Sequence, residues 1–241
     1  MTVERGKGWE MHLGDCLEVM PTLTTKCALV TDPPYGIDLG KPGAGRGRGK
    51  GHGLAFHAYA SFDDSYESFV ETVVPALDVA ISSSLRAAVF TGPHIHEQRK
   101  PDAIGGVYCP AGHGRHCWGF KTFLPVLLYG AAPNLNKGAR PTVLVSSETV
   151  NRADNDHPVP KPDGWMLWLV ALASASGETI LDPFAGSGTT GVACLRLGRK
   201  FIGIEKDPTY FALACERLRA EEQGSTLQAS RAGQLPLLGT G

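Results

Sequence analysis

Short apolar runs, separated by glycine, proline and charged residues, organise this chain. "CALV" at 27–30 and the apolar part of "RAAVFTG" at 86–92 are unbroken by polar residues. Such runs suit strands buried on both faces of a parallel sheet, whereas a half-exposed strand alternates. Residues 9–13 predict another short strand, followed by a helical stretch before residue 27. Residues 65–85 read as mostly helical, with Pro75 starting the second half or kinking it. Residues 101–117 show no period and read as irregular. "FKTFLPVLLYG" at 120–130 predicts a strand pair or one bent strand. Residues 131–163, rich in Pro, Asn and Asp, read as loops around one strand at 142–145.

Regularity returns after 163. An apolar helix is expected over 164–176, with Asp163 as N-cap and Gly177 as its stop. "ETILD" predicts a strand, "TTGVACLRLG" a helix closed by Gly198, and "KFIGIE" a second strand. Asp207-Pro208 begins a last helix that ends near Ala220, since Asp suits the N-cap and Pro the first turn. This strand–helix rhythm predicts an α/β, doubly wound, mostly parallel Rossmann-like sheet. The expected organisation is a single domain over residues 1–220, with 221–241 as a disordered tail.

Bulk properties narrow the picture only a little. A net charge of −1 over 241 residues excludes strong attraction to nucleic acid by the chain as a whole, though not a local basic groove. One such groove is suggested by "GKPGAGRGRGKGHG" at 40–53, a glycine-rich stretch carrying Arg46, Arg48 and Lys50 and no acid. Six cysteines without a framework spacing suit reduced thiols and a cytoplasmic protein. No run resembles a signal peptide or is long enough to span a bilayer.

Two glycine- and proline-marked turns follow predicted strands. "TDPPYGIDLG" at 31–40 closes the apolar run with an acid, a rigid elbow and an aromatic ring: Asp32, Pro33, Pro34 and Tyr35. "ILDPFAGSGTT" at 180–190 has strand, glycine turn and helix in order. Its Gly186 and Gly188 would let the backbone approach a ligand at the carboxyl edge of a sheet. Glu205 ends the next strand, where an acid can accept hydrogen bonds from ribose hydroxyls. With two glycines and no Walker lysine, the turn suits an adenosine ligand without phosphates better than a nucleotide triphosphate.

Together "DPPY" and "DPFAGSG" resemble the S-adenosylmethionine-dependent DNA amino-methyltransferases. "HPVPKP" at 157–162, with Lys161, is similar to a family segment beside the cofactor, and "LGDCLEVM" at 13–20 to the leading strand and helix, with Asp15 near the cofactor adenine. "FTGPH" at 90–94 and "WGFKTFLPVLLYG" at 118–130 resemble later strands of the same sheet. The "DPPY" motif precedes the glycine motif, which is the circularly permuted, β-class order and tilts the substrate towards double-stranded DNA. The resemblance implies S-adenosylmethionine framed by Asp15, Lys161, Asp182, Phe184, Gly186, Gly188 and Glu205, adenine-N6 methylation as in restriction-modification, and often a homodimer.

The resemblance also gives the acid, elbow and ring a chemistry. An exocyclic amine is a poor nucleophile because its lone pair is delocalised into the base. Asp32 can accept one amine hydrogen, the Pro33 carbonyl, held by Pro34, can accept the other, and Tyr35 can stack on a base flipped from the duplex. Cytosine-N4 methylation is the nearest alternative, since that amine presents similar geometry, although its usual motif begins with Ser. A catalytically inactive DNA-binding protein on the same fold is a third reading. C5-cytosine chemistry is disfavoured, because it needs a Pro-Cys pair and the chain has none. Arg46, Arg48 and Lys50 are expected to contact DNA phosphates beside the pocket. Cys109, His113, His116 and Cys117 match no common zinc spacing and are expected to form a DNA-facing or surface loop, with no metal. His94 and His96 read as structural, since the mechanism needs no histidine.

Overall fold

Strand order is set by which faces the apolar runs must bury. The computed structural model describes residues 2–38, 63–116, 118–133, 140–148 and 161–225. The stretch carrying Arg46, Arg48 and Lys50, residues 157–160, Cys117 and the chain beyond 225 lie outside these. β1 (Thr2–Gly6) and β2 (Trp9–Leu13) form a hairpin, then α1 (Cys16–Val19) leads to β3 (Ala28–Thr31). α2 (Tyr66–Ser68) and α3 (Val74–Ser83) precede β4 (Ala87–Phe90) and β5 (Ala103–Tyr108). A small hairpin, β6 (Arg115–His116) and β7 (Gly119–Phe120), is followed by β8 (Phe123–Tyr129) and β9 (Val143–Val145). The chain ends with α4 (Asp163–Ala173), β10 (Thr179–Asp182), α5 (Thr189–Arg196), β11 (Lys200–Glu205) and α6 (Pro208–Glu222).

The main sheet runs β1-β2-β11-β10-β3-β4-β8-β5-β9. The block from β2 to β4 is parallel throughout, and β8 runs antiparallel to both of its neighbours. The continuous apolar runs are explained by cores on both faces. Ala28, Val30, Ala88 and Phe90 point to the layer holding α4, α5 and α6, while Leu29, Ala87 and Val89 point to the layer holding α3. This is the expected doubly wound α/β sheet with the permuted motif order.

Several local expectations need correction. Residues 103–108 form a strand, although the sequence there reads as irregular. Gly105 and Gly106 give that segment its loop-like look, yet both are required by close packing: a Cβ on Gly105 would collide with the Thr142 carbonyl, and one on Gly106 would lie 2.5 Å from the Leu124 carbonyl. "FKTFLPVLLYG" is one strand from Phe123, and Phe120 belongs to the separate hairpin. Pro125 is tolerated inside β8 because its backbone faces the side where β4 has already ended. There its carbonyl accepts from Thr91 N–H at 3.1 Å, and no ladder donor is missing.

Asp163 is not the N-cap of α4. Pro162 holds that position without a side-chain cap, and the Asp163 carboxylate instead pairs with Arg196 at 2.7 Å. The same helix stops at Ser174, short of Gly177, and the Ser174 hydroxyl donates to the Val170 carbonyl. In the α2–α3 region a widened turn over Phe69–Val73 precedes Pro75, which then sits in the first turn of α3 where its missing N–H costs nothing. α6 runs two residues past the expected domain end at 220.

Candidate active site

β10 and β3 are adjacent parallel strands at the point where the winding of the sheet reverses. From β10 the chain passes through α5 to β11 on one side; from β3 it passes through α2 and α3 to β4 on the other. Loops leaving such a pair diverge to opposite faces and open a crevice at the carboxyl edge. "DPPY" follows β3 and "DPFAGSG" follows β10, so motifs some 150 residues apart become neighbours. The cleft between them is lined by Asp32, Lys161, Met166, Asp182, Phe184 and the Ala185–Ser187 turn, with Thr189 and Thr190 behind.

Asp182 ties the two motifs together. It is 1% exposed, and its Oδ1 accepts from the Thr31 hydroxyl at 2.6 Å and the Phe184 N–H at 3.1 Å. Its Oδ2 accepts from the Thr190 hydroxyl at 2.6 Å. Burial pushes this carboxyl up to about 6, against those three hydrogen bonds, and the nearby Asp32 charge adds to the rise. The glycine turn is fixed from two further sides. Glu205 accepts from the N–H groups of Gly186 and Asp207, both at 2.8 Å, and burial raises its carboxyl above the usual range. Arg217 donates to the Ser187 carbonyl at 2.8 Å. Gly188 has φ +80°, and a Cβ there would lie 3.0 Å from the Ala214 Cβ, so the turn needs glycine for both conformation and space.

At the other wall, both Asp32 oxygens are engaged. The Tyr35 hydroxyl donates to Oδ1 and the Lys161 ammonium to Oδ2 at 2.7 Å. Lys161 also lies 5.1 Å from the Tyr35 ring centroid and 5.7 Å from that of Phe90. The loop behind is braced by the Gly36 N–H donating to Asp64 Oδ1 at 2.8 Å and by His94 on the Gly36 carbonyl at 3.1 Å. His94 thus contacts the loop that carries Tyr35.

The expected site residues separate into groups. Asp32, Lys161, Asp182, Phe184 and Gly186 converge on one cleft, with Tyr35 bonded to Asp32 and Gly188 starting the helix behind it. Lys161 contacts the acid of the first motif, where the resemblance implied a position beside the cofactor. Asp15 stands apart, capping α1 through the Leu17 N–H at 2.9 Å and pairing with Lys206 at 3.2 Å. The neighbouring Gly14 N–H donates to the Glu205 carbonyl, which puts Asp15 next to the end of β11. Cys109 is buried and His113 packs edge-on against Trp165. Among the described residues no three His, Cys, Asp or Glu side chains cluster to hold a metal. Sequence reading missed Thr31, Thr190, Asp64 and Arg217. Thr31 and Thr190 adjoin the motifs and could have been flagged, whereas nothing local marks Asp64 or Arg217.

Fold and cleft define a doubly wound, Rossmann-like architecture with its crevice at the reversal of the sheet. A family model described as DNA methylase matches residues 113–216. Type II methyltransferase M2.DpnII of Streptococcus pneumoniae is 42% identical over 77 residues, covering 32% of this chain and 29% of that protein. The chain thus spans under a third of the curated relative it matches. Among solved structures, TTHA0409 of Thermus thermophilus, a putative DNA modification methylase complexed with S-adenosyl-L-methionine, superposes with TM-score 0.59 at 21% identity, over 96% of this chain and 98% of that one. PvuII DNA methyltransferase, cytosine-N4-specific, does so with TM-score 0.60 at 15% identity, over 97% and 96%. Residues 113–216 are thus similar in sequence to DNA methylases, and the fold of the chain is similar to that of these two structures. No described helix is long and apolar enough to cross a membrane.

Proposed function

We propose that this protein transfers the methyl group of S-adenosylmethionine to the N6 amine of an adenine flipped out of double-stranded DNA. The observation that carries the reading is the shared cleft: the acid after β3 faces the glycine turn after β10 across the reversal of the sheet. The residues present fit the cofactor. The turn offers backbone amides and a glycine cradle at Gly188, and the walls carry Asp32 and Asp182, which suit a cationic sulfonium better than a phosphate. When bound, S-adenosylmethionine supplies an electrophilic methyl group.

Gly186 and Gly188 would admit it, Phe184 would pack on it, and Glu205, with acceptor sites left beyond its two amide bonds, would take ribose hydroxyls. Asp15, at the end of β11, would lie on the adenine side. Asp32 would accept an amine hydrogen and so localise the nitrogen lone pair. Ionised Asp32 has about four acceptor positions, of which Tyr35 and Lys161 use two, so room remains for the amine. The Pro33 carbonyl would take the second hydrogen, and Tyr35 would stack on the base. Arg46, Arg48 and Lys50, which follow the first motif closely in the chain, would add phosphate contacts.

The test is mass spectrometry of nucleosides from duplex DNA incubated with the protein and the cofactor. N6-methyladenine is the expected product. N4-methylcytosine would replace this reading with the cytosine alternative, which the likeness in fold to a cytosine-N4-specific enzyme keeps in view. No methylated base across a range of DNA sequences, with cofactor bound, would favour a DNA-binding protein.

A further inference from the structure

One end of the sheet carries apolar side chains that the proposed chemistry does not use. Tyr108, at the end of β5, pairs with Phe123 on β8 and with Val145 on β9, so the three lie side by side on one face, all solvent-accessible. The β6–β7 hairpin beside them presents Trp118 and Phe120, which are 91% and 60% exposed. β5 runs parallel to β4 and β3 because β8 is antiparallel to both β4 and β5, so this cluster lies on the same carboxyl edge as Asp32. The link to the cleft is close. His113, in the loop entering the hairpin, packs on Trp165 with ring centroids 6.3 Å apart, and Lys161 is near enough to influence its imidazole. On the other side, Thr91 N–H bonds the Pro125 carbonyl of β8, and Gly92 next to it supports the Tyr35 ring.

Charge chooses the occupant. From Ala103 to Val145 the chain holds Arg115, Lys121, Lys137 and Arg140 and no Asp or Glu. In a protein whose net charge is −1 this is an acid-free stretch, and its Lys121 directly follows Phe120 of the hairpin. Exposed aromatics beside Lys121 suit a polyanion with stacked apolar faces, and a duplex with one base removed from its stack offers both.

We propose that the β6–β7 hairpin and the Tyr108–Phe123–Val145 face form a duplex-binding surface, with Trp118 and Phe120 contacting the bases beside the flipped nucleotide and Lys121 a phosphate. This deepens the proposed function and rests on it for the flipped base, but duplex binding can be measured without turnover. The aromatic contacts add affinity that salt does not screen, while the lysine contact adds one released counterion.

The experiment is fluorescence anisotropy of labelled mixed-sequence duplex DNA against salt concentration, using the full chain. Trp118→Ala/Phe120→Ala should weaken binding about a hundredfold with an unchanged salt slope, because two stacks are lost and each is worth roughly tenfold. Lys121→Ala should lower the slope by about one. Both variants should keep the wild-type melting temperature, since the altered side chains are exposed. Wild-type binding by both variants would overturn the proposal. So would unchanged DNA affinity accompanied by loss of a dimer in sedimentation, which would make the patch a contact between two copies of the chain. If wild-type protein methylates no DNA yet binds it through Trp118, the methyl-transfer reading fails and this surface stands.

Discussion

Replacing Lys161 by Met separates two roles for one ammonium group. Lys161 is largely buried, donates to Asp32 Oδ2 at 2.7 Å and lies over the Tyr35 ring, so it holds the acid that would receive the amine. Met fills similar space without a donor, leaving Asp32 oriented by the Tyr35 hydroxyl alone. A hydrogen bond to a charged partner contributes about 1.5–3 kcal/mol. If that orientation is used in the transition state, the methyl-transfer step slows by about 10- to 150-fold. Cofactor affinity should change by less than about threefold, because the carboxylate and amide groups of the glycine turn do not depend on Lys161. Single-turnover transfer with saturating cofactor gives the first quantity and titration calorimetry the second. A variant with wild-type single-turnover rate and strongly weakened cofactor binding would refute this reasoning and return Lys161 to the cofactor side, as the resemblance implied.

Asp32→Ala should bind S-adenosylmethionine almost normally and transfer methyl groups orders of magnitude more slowly, measured in the same two assays; near-normal turnover would remove the acid from the mechanism. Gly188→Ala must hold a left-handed residue against Ala214, at about 1–2 kcal/mol for the backbone alone, so a lower melting temperature and weaker cofactor binding are expected, and an unchanged melting curve would contradict the turn geometry. Asp182 has a folded-state value of about 6 against 3.8 for the free group, so the folded protein holds its proton more tightly than the unfolded chain. Its contribution to stability is full below about pH 4 and is lost as pH rises through about 6. The loss amounts to about 3 kcal/mol. Asp182→Asn, which can still pair with both threonine hydroxyls, should flatten the pH dependence of the melting temperature between pH 4 and 7. A wild-type pH profile in that variant would show that Asp182 does not titrate as stated.

Local chemistry made much of this protein legible. Continuous apolar runs marked the central strands, because a strand covered on both faces has no polar side, and Asp207-Pro208 and Gly198 marked helix ends through capping and backbone conformation. "DPPY" and "DPFAGSG" announced both halves of the cleft. What the sequence could not supply was the relation between them. Adjacent pairing of β3 and β10 is a property of the sheet, and only that pairing brings Thr31 to Asp182 and Lys161 to Asp32. The strand at 103–108 was hidden because its glycines answer to neighbours on β8 and β9 that no local window contains. Asp163 suited an N-cap locally, but Arg196 of α5, in place only once the helices pack, drew its carboxylate away. Short-range rules decide where elements begin and end; the partner of a charge, and the pocket it serves, depends on residues that folding brings from far along the chain.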